Sequence, residues 1–438
     1  MNMEDTWSVC PVCLKRVAAR YEERQGHVYM LKNCQEHGEF QTIVWRNGPP
    51  LSSYIREPIN TAPSVRHTGG RLGCPYDCGL CEEHEQAACC VVVNVTEACN
   101  LRCPVCLADS GEEKTEPPLN ALLERFDALS RECVDRPYNI QLSGGEPTVR
   151  EDLPELIKCV KEKGFPYVQV NTNGIRLAEA RDYAAALKAA GLDCVFLQFD
   201  GVDDGVYGKI RGRSLLSVKE RAIENCRLAG LSVVLVMTVV PGINAAAVGD
   251  VIKFAADRVP YVRGIHFQPV SYIGRYMHTP KDEDRFTMGD LLHAIEAQTD
   301  GAMKMDDFVP LLSGHSLCSF HGNFVVKEKG AFEALSMQET SCCCCNKSAI
   351  VRSREYVAKK WSGATSDGEY ADEWEAFQKQ TDERSFSITT MGFMDAWNLD
   401  LKRLKKCRLQ AMTQDGRLIP LCAYNLTAMN GERLYGRL

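Results

Sequence analysis

The chain has no excess of positive charge: 51 lysines and arginines stand against 58 aspartates and glutamates, a net charge of −7. That balance argues against a general electrostatic grip on nucleic acid. No stretch approaches the ~18–20 uninterrupted apolar residues of a membrane span, so an integral membrane protein is not expected. Residues Met1 to Cys10 lack both the basic region and the apolar stretch of a secretory leader, and the expected location is the cytoplasm. Disulfides are rare there, so the 22 cysteines point to metal sites instead. They are clustered, with 11 before residue 107 and four in a row at Cys342–Cys345, as suits a reducing, low-oxygen cell. At 438 residues the chain can hold one large domain and one or two small ones.

Residues 1–60 read as a small metal module. Cys10-Pro-Val-Cys13 is followed by a polar hairpin and then Cys34-Gln-Glu-His37. Two such knuckles suit tetrahedral zinc or a rubredoxin-like iron, although a histidine before glycine is also an ordinary loop residue. Residues 61–90 are a second cysteine-rich segment. From residue 91 the pattern changes to alternating strands and helices. Short apolar runs at Val91–Thr96, Asn139–Leu142, Tyr167–Asn171, Val195–Phe199, Ser232–Val240 and Gly264–Pro269 predict buried parallel strands. Between them Leu153, Leu156, Ile157 and Val160 recur at helical spacing, as do Leu215, Val218, Ala222 and Cys226. Six strand–helix repeats imply an α/β fold whose parallel sheet is closed or partly closed on itself, with a doubly wound open sheet as the alternative. The core spans 91–300. Beyond it the alternation fades, and 301–438 reads as a C-terminal auxiliary domain capping the barrel.

The densest chemistry lies at the end of the first core strand, in Cys99-Asn-Leu-Arg-Cys103-Pro-Val-Cys106. Three thiolates can hold three irons of a 4Fe-4S cluster that normally takes four cysteines, leaving one iron open. A ferredoxin-like cluster or a zinc site is the structural alternative. One strand later comes Gly144-Gly145-Glu146-Pro147, where the glycines permit close backbone approach and Glu146 offers an acceptor for an ammonium group. Asn173, Gln198 and Asp200 end the next two strands. They either contact a ligand or make ordinary turns. The run Lys209-Ile-Arg211-Gly212-Arg213 reads either as cationic reach for a carboxylate or phosphate or as a solvated loop. His266 at the sixth strand end faces a substrate or is a satisfied structural histidine. Cys74, Cys78 and Cys81 repeat the three-cysteine spacing, without a preceding strand or a following Gly-Gly-Glu-Pro. They read as an auxiliary cluster, its fourth ligand drawn from Cys89, Cys90 or the C-terminal cysteines. Cys318, Cys407 and Cys422 form a further candidate set, with simple burial as the alternative.

The barrel motifs together resemble the radical S-adenosylmethionine (SAM) superfamily. With the knuckles, the Cys74–Cys81 motif, Ile265-His-Phe-Gln-Pro and the C-terminal blocks Gly392-Phe-Met-Asp395-Ala-Trp-Asn398-Leu-Asp400 and Asp415-Gly-Arg417-Leu-Ile-Pro420-Leu-Cys422, the chain is similar to one branch. That branch holds the class D methylases of pterin biosynthesis and the archaeal tetraether lipid synthase. The resemblance implies a partial (β/α)6 barrel in which Cys99, Cys103 and Cys106 carry the SAM-binding 4Fe-4S cluster and Gly144, Gly145, Glu146, Pro147, Asn173, Gln198 and Asp200 bind SAM. It also implies one or two auxiliary 4Fe-4S clusters. The reaction it implies is cleavage of SAM to a 5′-deoxyadenosyl radical, followed by carbon–carbon bond formation, by methyl or alkyl transfer, at an unactivated carbon of a small-molecule or lipid substrate. The electron donor would be a protein such as ferredoxin or flavodoxin. The tetrad Cys342–Cys345 departs from both characterised activities and is similar to the radical SAM (seleno)protein subgroup TrsS. The alternatives are a radical SAM maturase or oxidoreductase acting on a peptide or small molecule, and a non-catalytic iron–sulfur electron carrier.

Overall fold

The computed structural model describes residues 5–111, 116–133, 137–327, 330–335, 348–362 and 381–435; the tetrad Cys342–Cys345 lies outside them. Four strands, β1 (Thr6–Val9), β2 (Arg16–Arg24), β3 (His27–Cys34) and β4 (Gly38–Trp45), pair antiparallel in that order. Gln25 and Gly26 join β2 to β3, both at positive φ (53° and 79°), which matches the right-handed twist of a two-residue hairpin. Alternation along β3 sends Val28, Met30, Lys32 and Cys34 inward. Lys32 is buried and reaches across to the C-terminal region, donating to the carbonyls of Val9 (2.7 Å) and Ala396 (2.6 Å). Thr6 and Tyr21 both donate to Asp400, so the ribbon is stitched to the segment around 392–400.

The core sheet carries β5 (Cys90–Thr96), β6 (Asn139–Gly144), β7 (Val168–Thr172), β8 (Cys194–Gln198), β9 (Ser232–Val239) and β10 (Val262–Pro269) as parallel neighbours in chain order. All six are strands expected from the apolar runs. The helix Leu153–Glu162 buries Leu153, Leu156, Ile157 and Val160, the face expected from their spacing. Gly164, Gly191 and Gly230 follow helices at positive φ, where a left-handed residue ends the last turn.

The C-terminal region supplies β11 (Val309–Pro310), β12 (Phe320–Val326), β13 (Phe332–Ala334), β14 (Ser385–Thr390), β15 (Leu409–Met412) and β16 (Leu418–Pro420). β14 pairs parallel with β10, and β15 pairs parallel with β5. The sheet therefore runs across the expected boundary at residue 300, adding a strand to each side of the six-unit partial barrel. These two strands join the sheet through pairings distant in sequence, which local periodicity does not encode. Among the described residues no helix is long and apolar enough to cross a membrane.

Candidate active site

The loop after β5 carries the three cysteines and is fixed at several points. Cys99 donates its N–H to the Gly111 carbonyl (3.0 Å), and Cys106 exchanges backbone hydrogen bonds with Arg275 (2.9 Å each). The Arg275 guanidinium spans the loop, bonding the carbonyls of Cys103 (2.9 Å) and Ser110 (2.6 Å) and the carboxylate of Asp109. Burial pushes the Cys99 thiol up to about 12 and also raises Cys103, which the nearby Arg211 partly offsets. Buried thiols of this kind ionise when a metal supplies the compensating charge.

Gly-Gly-Glu-Pro is pressed against the start of that loop. Gly145 donates to the Thr96 carbonyl and Glu146 to the Ala98 carbonyl, each at 2.8 Å. A side chain at either glycine would put its Cβ 2.1 Å from a loop carbonyl oxygen, Thr96 for Gly144 and Ala98 for Gly145. The need for glycine is thus steric, and at Gly144 conformational too (φ 122°). Glu146 is buried, and its carboxylate already accepts four hydrogen bonds. They come from the Thr148 N–H and hydroxyl (3.0 and 2.6 Å), the Thr172 hydroxyl (2.7 Å) and the Asn173 N–H (2.6 Å). It ties β6 to β7 while lining the cavity.

That cavity, about 260 Å³, is bounded by Cys99, Cys103, Cys106, Gly144, Gly145 and Glu146, with Asn173, Gln198 and Arg211 across from them. Asn173 bridges strand end to cysteine loop, its amide donating to Asn100 Oδ1 at 2.7 Å. Asp200 and Pro147 stand outside the cavity's wall. Asp200 is fully buried and holds Arg211 bidentately (2.7 and 2.9 Å) while accepting from the Thr238 N–H (3.1 Å). The solvated-loop reading of Arg211 therefore fails: it is a fixed cation facing the three cysteines. Lys219, which sequence reading missed, is also buried. It donates to the Asn173 carbonyl (2.5 Å) and Gln198 Oε1 (2.7 Å), and burial lowers it to about 7. Its helical position among apolar residues gave no signal of this.

The ribbon site is of another kind. Cys10, Cys13, Cys34 and His37 bring their ligand atoms within 4.8 Å of one another, close enough for one ion; among the described residues no other such cysteine, histidine or carboxylate group is so tight. His37 Nδ1 lies 3.7 Å from Cys10 Sγ and 3.5 Å from Cys34 Sγ, and it draws the Cys34 thiol down to about 6. Three sulfurs and one nitrogen match a closed tetrahedral site. The wider spread of Cys99, Cys103 and Cys106 fits a multi-iron cluster, which holds its ligands farther apart than a single ion does.

Cys74, Cys78 and Cys81 surround one small cavity with His84 and Lys405, and Cys318, Cys407 and Cys422 surround another with His315 and Arg403. Arg403 donates to Cys318 Sγ at 3.1 Å. Cys89 and Cys90 do not join the Cys74–Cys81 site; they line a separate cavity of about 560 Å³ deeper in the barrel, which also contains His266. Gln141 and Phe196 belong to both this cavity and the one beside the three cysteines. Cys194 and Cys226 are plain core residues.

The radical SAM superfamily profile matches residues 93–255, and the HMPTM N-terminal zinc ribbon domain profile matches residues 3–46. The 7,8-dihydro-6-hydroxymethylpterin dimethyltransferase of Methanocaldococcus jannaschii is 35% identical over 96% of this chain and 93% of its own length. A probable GTP 3′,8-cyclase of Sulfolobus acidocaldarius is 33% identical over 41% of this chain and 56% of that one. Among solved structures, Streptococcus suis SuiB bound to S-adenosylmethionine aligns at 15% identity, covering 49% of this chain and 47% of that one, with a TM-score of 0.40.

Proposed function

The chain belongs to the radical SAM superfamily and is a radical SAM enzyme of the methyltransferase-like kind; on that premise we propose that it methylates a ring carbon of a small heteroaromatic substrate of the pterin class. The observation that carries this reading is the contact between the two cavities. Gln141 and Phe196 are shared walls, so a molecule in the 560 Å³ cavity lies directly against whatever occupies the cavity beside the three cysteines. A lipid pair would need a long apolar tunnel. Here polar side chains, among them Asn139, Gln141, Gln169 and His266, interrupt the wall, which favours a compact, hydrogen-bonding ring. The pterin named for the Methanocaldococcus jannaschii relative is such a ring.

The chain's own residues have separable tasks in this reading. Cys99, Cys103 and Cys106 hold the cluster; Gly144 and Gly145 let backbone approach SAM; Arg211, oriented by Asp200, faces the carboxylate of SAM; Asn173 and Gln198 complete the wall. With a cluster and SAM bound there, the site would supply reductive cleavage of SAM, one electron breaking a carbon–sulfur bond to leave methionine and a radical able to take a hydrogen atom. The barrel's apolar lining keeps water from that event. Cys74, Cys78 and Cys81, and Cys318, Cys407 and Cys422, are assigned to auxiliary clusters, with the ribbon holding zinc or a single iron. Residues 1–60, 61–90, 91–300 and 301–438 then divide into ribbon, auxiliary segment, core and C-terminal auxiliary region. A cytoplasmic ferredoxin or flavodoxin would supply electrons.

The test is anaerobic reconstitution with iron, sulfide and SAM, a strong reductant, and dihydro-hydroxymethylpterin, followed by mass spectrometry beside a Cys103→Ala control. Formation of 5′-deoxyadenosine and a methylated pterin, both lost in the control, is expected. Bound iron and SAM without 5′-deoxyadenosine would favour an electron carrier instead.

A further inference from the structure

The deeper cavity has a charge that the rest of the chain does not. The protein carries −7 overall, yet among the described residues no aspartate or glutamate lines this cavity, while Arg352 and Arg408 do. Neither arginine forms an ion pair with a carboxylate among the described residues; Arg408 donates to the Ser313 hydroxyl at 2.9 Å. Both guanidinium groups are partly buried, and Arg408 also borders the small cavity of Cys318, Cys407 and Cys422. The charged side chains described in this wall are thus both cations, which favours an anionic group on the ligand.

The walls also specify the body of that ligand. Phe196 and Trp361 pack edge to face at 4.8 Å between ring centroids, and Tyr356 meets His321 at 5.9 Å, giving aromatic surfaces on two sides. Two buried acceptors in the wall, Asn139 Oδ1 and His321 Nδ1, have no hydrogen-bond partner among the described residues. Such atoms call for N–H donors. His266 and His321 are both held neutral, lowered to about 4 by burial and by the charge of Arg408, so they add no further cation.

We propose that this cavity binds its substrate as an anion: a planar amino-heterocycle bearing a phosphate or carboxylate arm. Arg352 and Arg408 take the arm, the aromatic walls take the ring, and Asn139 and His321 read its N–H edge. The proposal rests on the pterin reading above and deepens it. The hydroxymethyl group of the pterin named for the relative is an alcohol, and therefore a place where an anionic ester can be carried. Long-chain carboxylates share the charge but lack the N–H donors that Asn139 and His321 call for.

The decisive experiment is anaerobic titration of reconstituted enzyme with four probes: 6-hydroxymethyl-7,8-dihydropterin, its monophosphate ester, the 6-carboxy pterin and decanoate. The monophosphate or the carboxylate should bind at least about tenfold more tightly than the neutral alcohol, the scale of one charge-assisted hydrogen bond. Which of the two wins identifies the arm. That advantage should shrink in Arg352→Gln and persist in Arg352→Lys, and in wild type it should fall with added salt while the neutral alcohol's affinity does not. Equal binding of ester and alcohol, indifferent to salt, would overturn the proposal. Binding of decanoate in preference to all the pterins would overturn it too. Methylation of the neutral alcohol without any anion preference would sink this inference and leave the pterin reading standing, whereas 5′-deoxyadenosine formation with no pterin bound would sink both.

Discussion

Replacing Asp200 by Asn should separate a positioning role from a contact role at the cavity beside the three cysteines, proposed above to hold SAM. Asp200 is fully buried, and it is the carboxylate that holds Arg211, whose side chain is only 10% exposed. The substitution keeps one carbonyl oxygen to accept from Thr238 but removes the charge and one of the two acceptors that fix the guanidinium. Stranding a buried cation typically costs about 3–5 kcal/mol, and the retained acceptor puts the expectation near the lower figure. In a chain of this size roughly 3 kcal/mol corresponds to a fall of about 6 °C or less in apparent melting temperature. The functional effect should be distinct, because Asp200 does not line the cavity whereas Arg211 does. Losing the orientation of one charge-assisted donor predicts SAM binding weakened about tenfold or more. The assays are thermal melting and equilibrium SAM binding to reconstituted enzyme, with Arg211→Gln as companion. Asp200→Asn and Arg211→Gln together should weaken SAM binding little more than either alone, since they act through one group. Unchanged SAM affinity in Asp200→Asn would refute the reasoning, as would additive losses in the pair.

Gly145→Ala would place a methyl 2.1 Å from the Ala98 carbonyl oxygen. The cysteine loop must shift, so a loss of about 1–3 kcal/mol and a weakened iron–sulfur absorbance after reconstitution are expected; normal iron content and SAM binding would contradict the steric account. Anaerobically purified protein should hold roughly 8–12 irons per chain if two or three 4Fe-4S sites fill, plus one ion in the ribbon. Zinc alone would exclude the radical reading. Cys34→Ala should remove only the ribbon ion and leave the barrel's iron in place, because the ribbon ligands form their own tight group. For His266 the folded-state pKa, about 4, lies below the ordinary 6.5 because of burial. The unfolded chain therefore binds the proton first, and stability fully present above pH 6.5 is lost as pH falls toward 4, by at most about 1.4 kcal/mol per pH unit. Denaturant melts of wild type and His266→Gln across pH 7 to 4.5 should converge on acidification; parallel curves would show that His266 is not held neutral.

The six core strands were legible because buried parallel strands are written as unbroken apolar runs such as Val91–Val93, and the helices between them carry a clean 3.6-residue stripe. Gly144 and Gly145 read in the motif as letting backbone approach a ligand, and the structure adds a second need, since each is pressed against a carbonyl of the cysteine loop. The strands β14 and β15 were not, because each joins the sheet through long-range pairing that no local period encodes. The fourth ligand of the Cys74–Cys81 site was open among Cys89, Cys90 and the C-terminal cysteines; Cys89 and Cys90, at the entry into β5, line the barrel's deeper cavity instead of the small one beside Cys74, Cys78 and Cys81.

The charged residues of the site were the least legible of all. Arg211 sits in a basic run, Lys209-Ile-Arg211-Gly212-Arg213, whose composition suggests a solvated loop. What fixes its role is a carboxylate 11 positions earlier, brought to 2.7 Å because the chain returns from β8 through the short helix Asp204–Arg211. Glu146 shows the converse. Its motif suggested an acceptor for an ammonium group, yet the fold gives that carboxylate four donors of its own, two of them from the end of β7. A motif names the residues that gather at a sheet edge. Which residue reaches the cavity and which holds it there is decided by long-range hydrogen bonds, and here those put Arg211 at the cavity wall and Asp200 behind it.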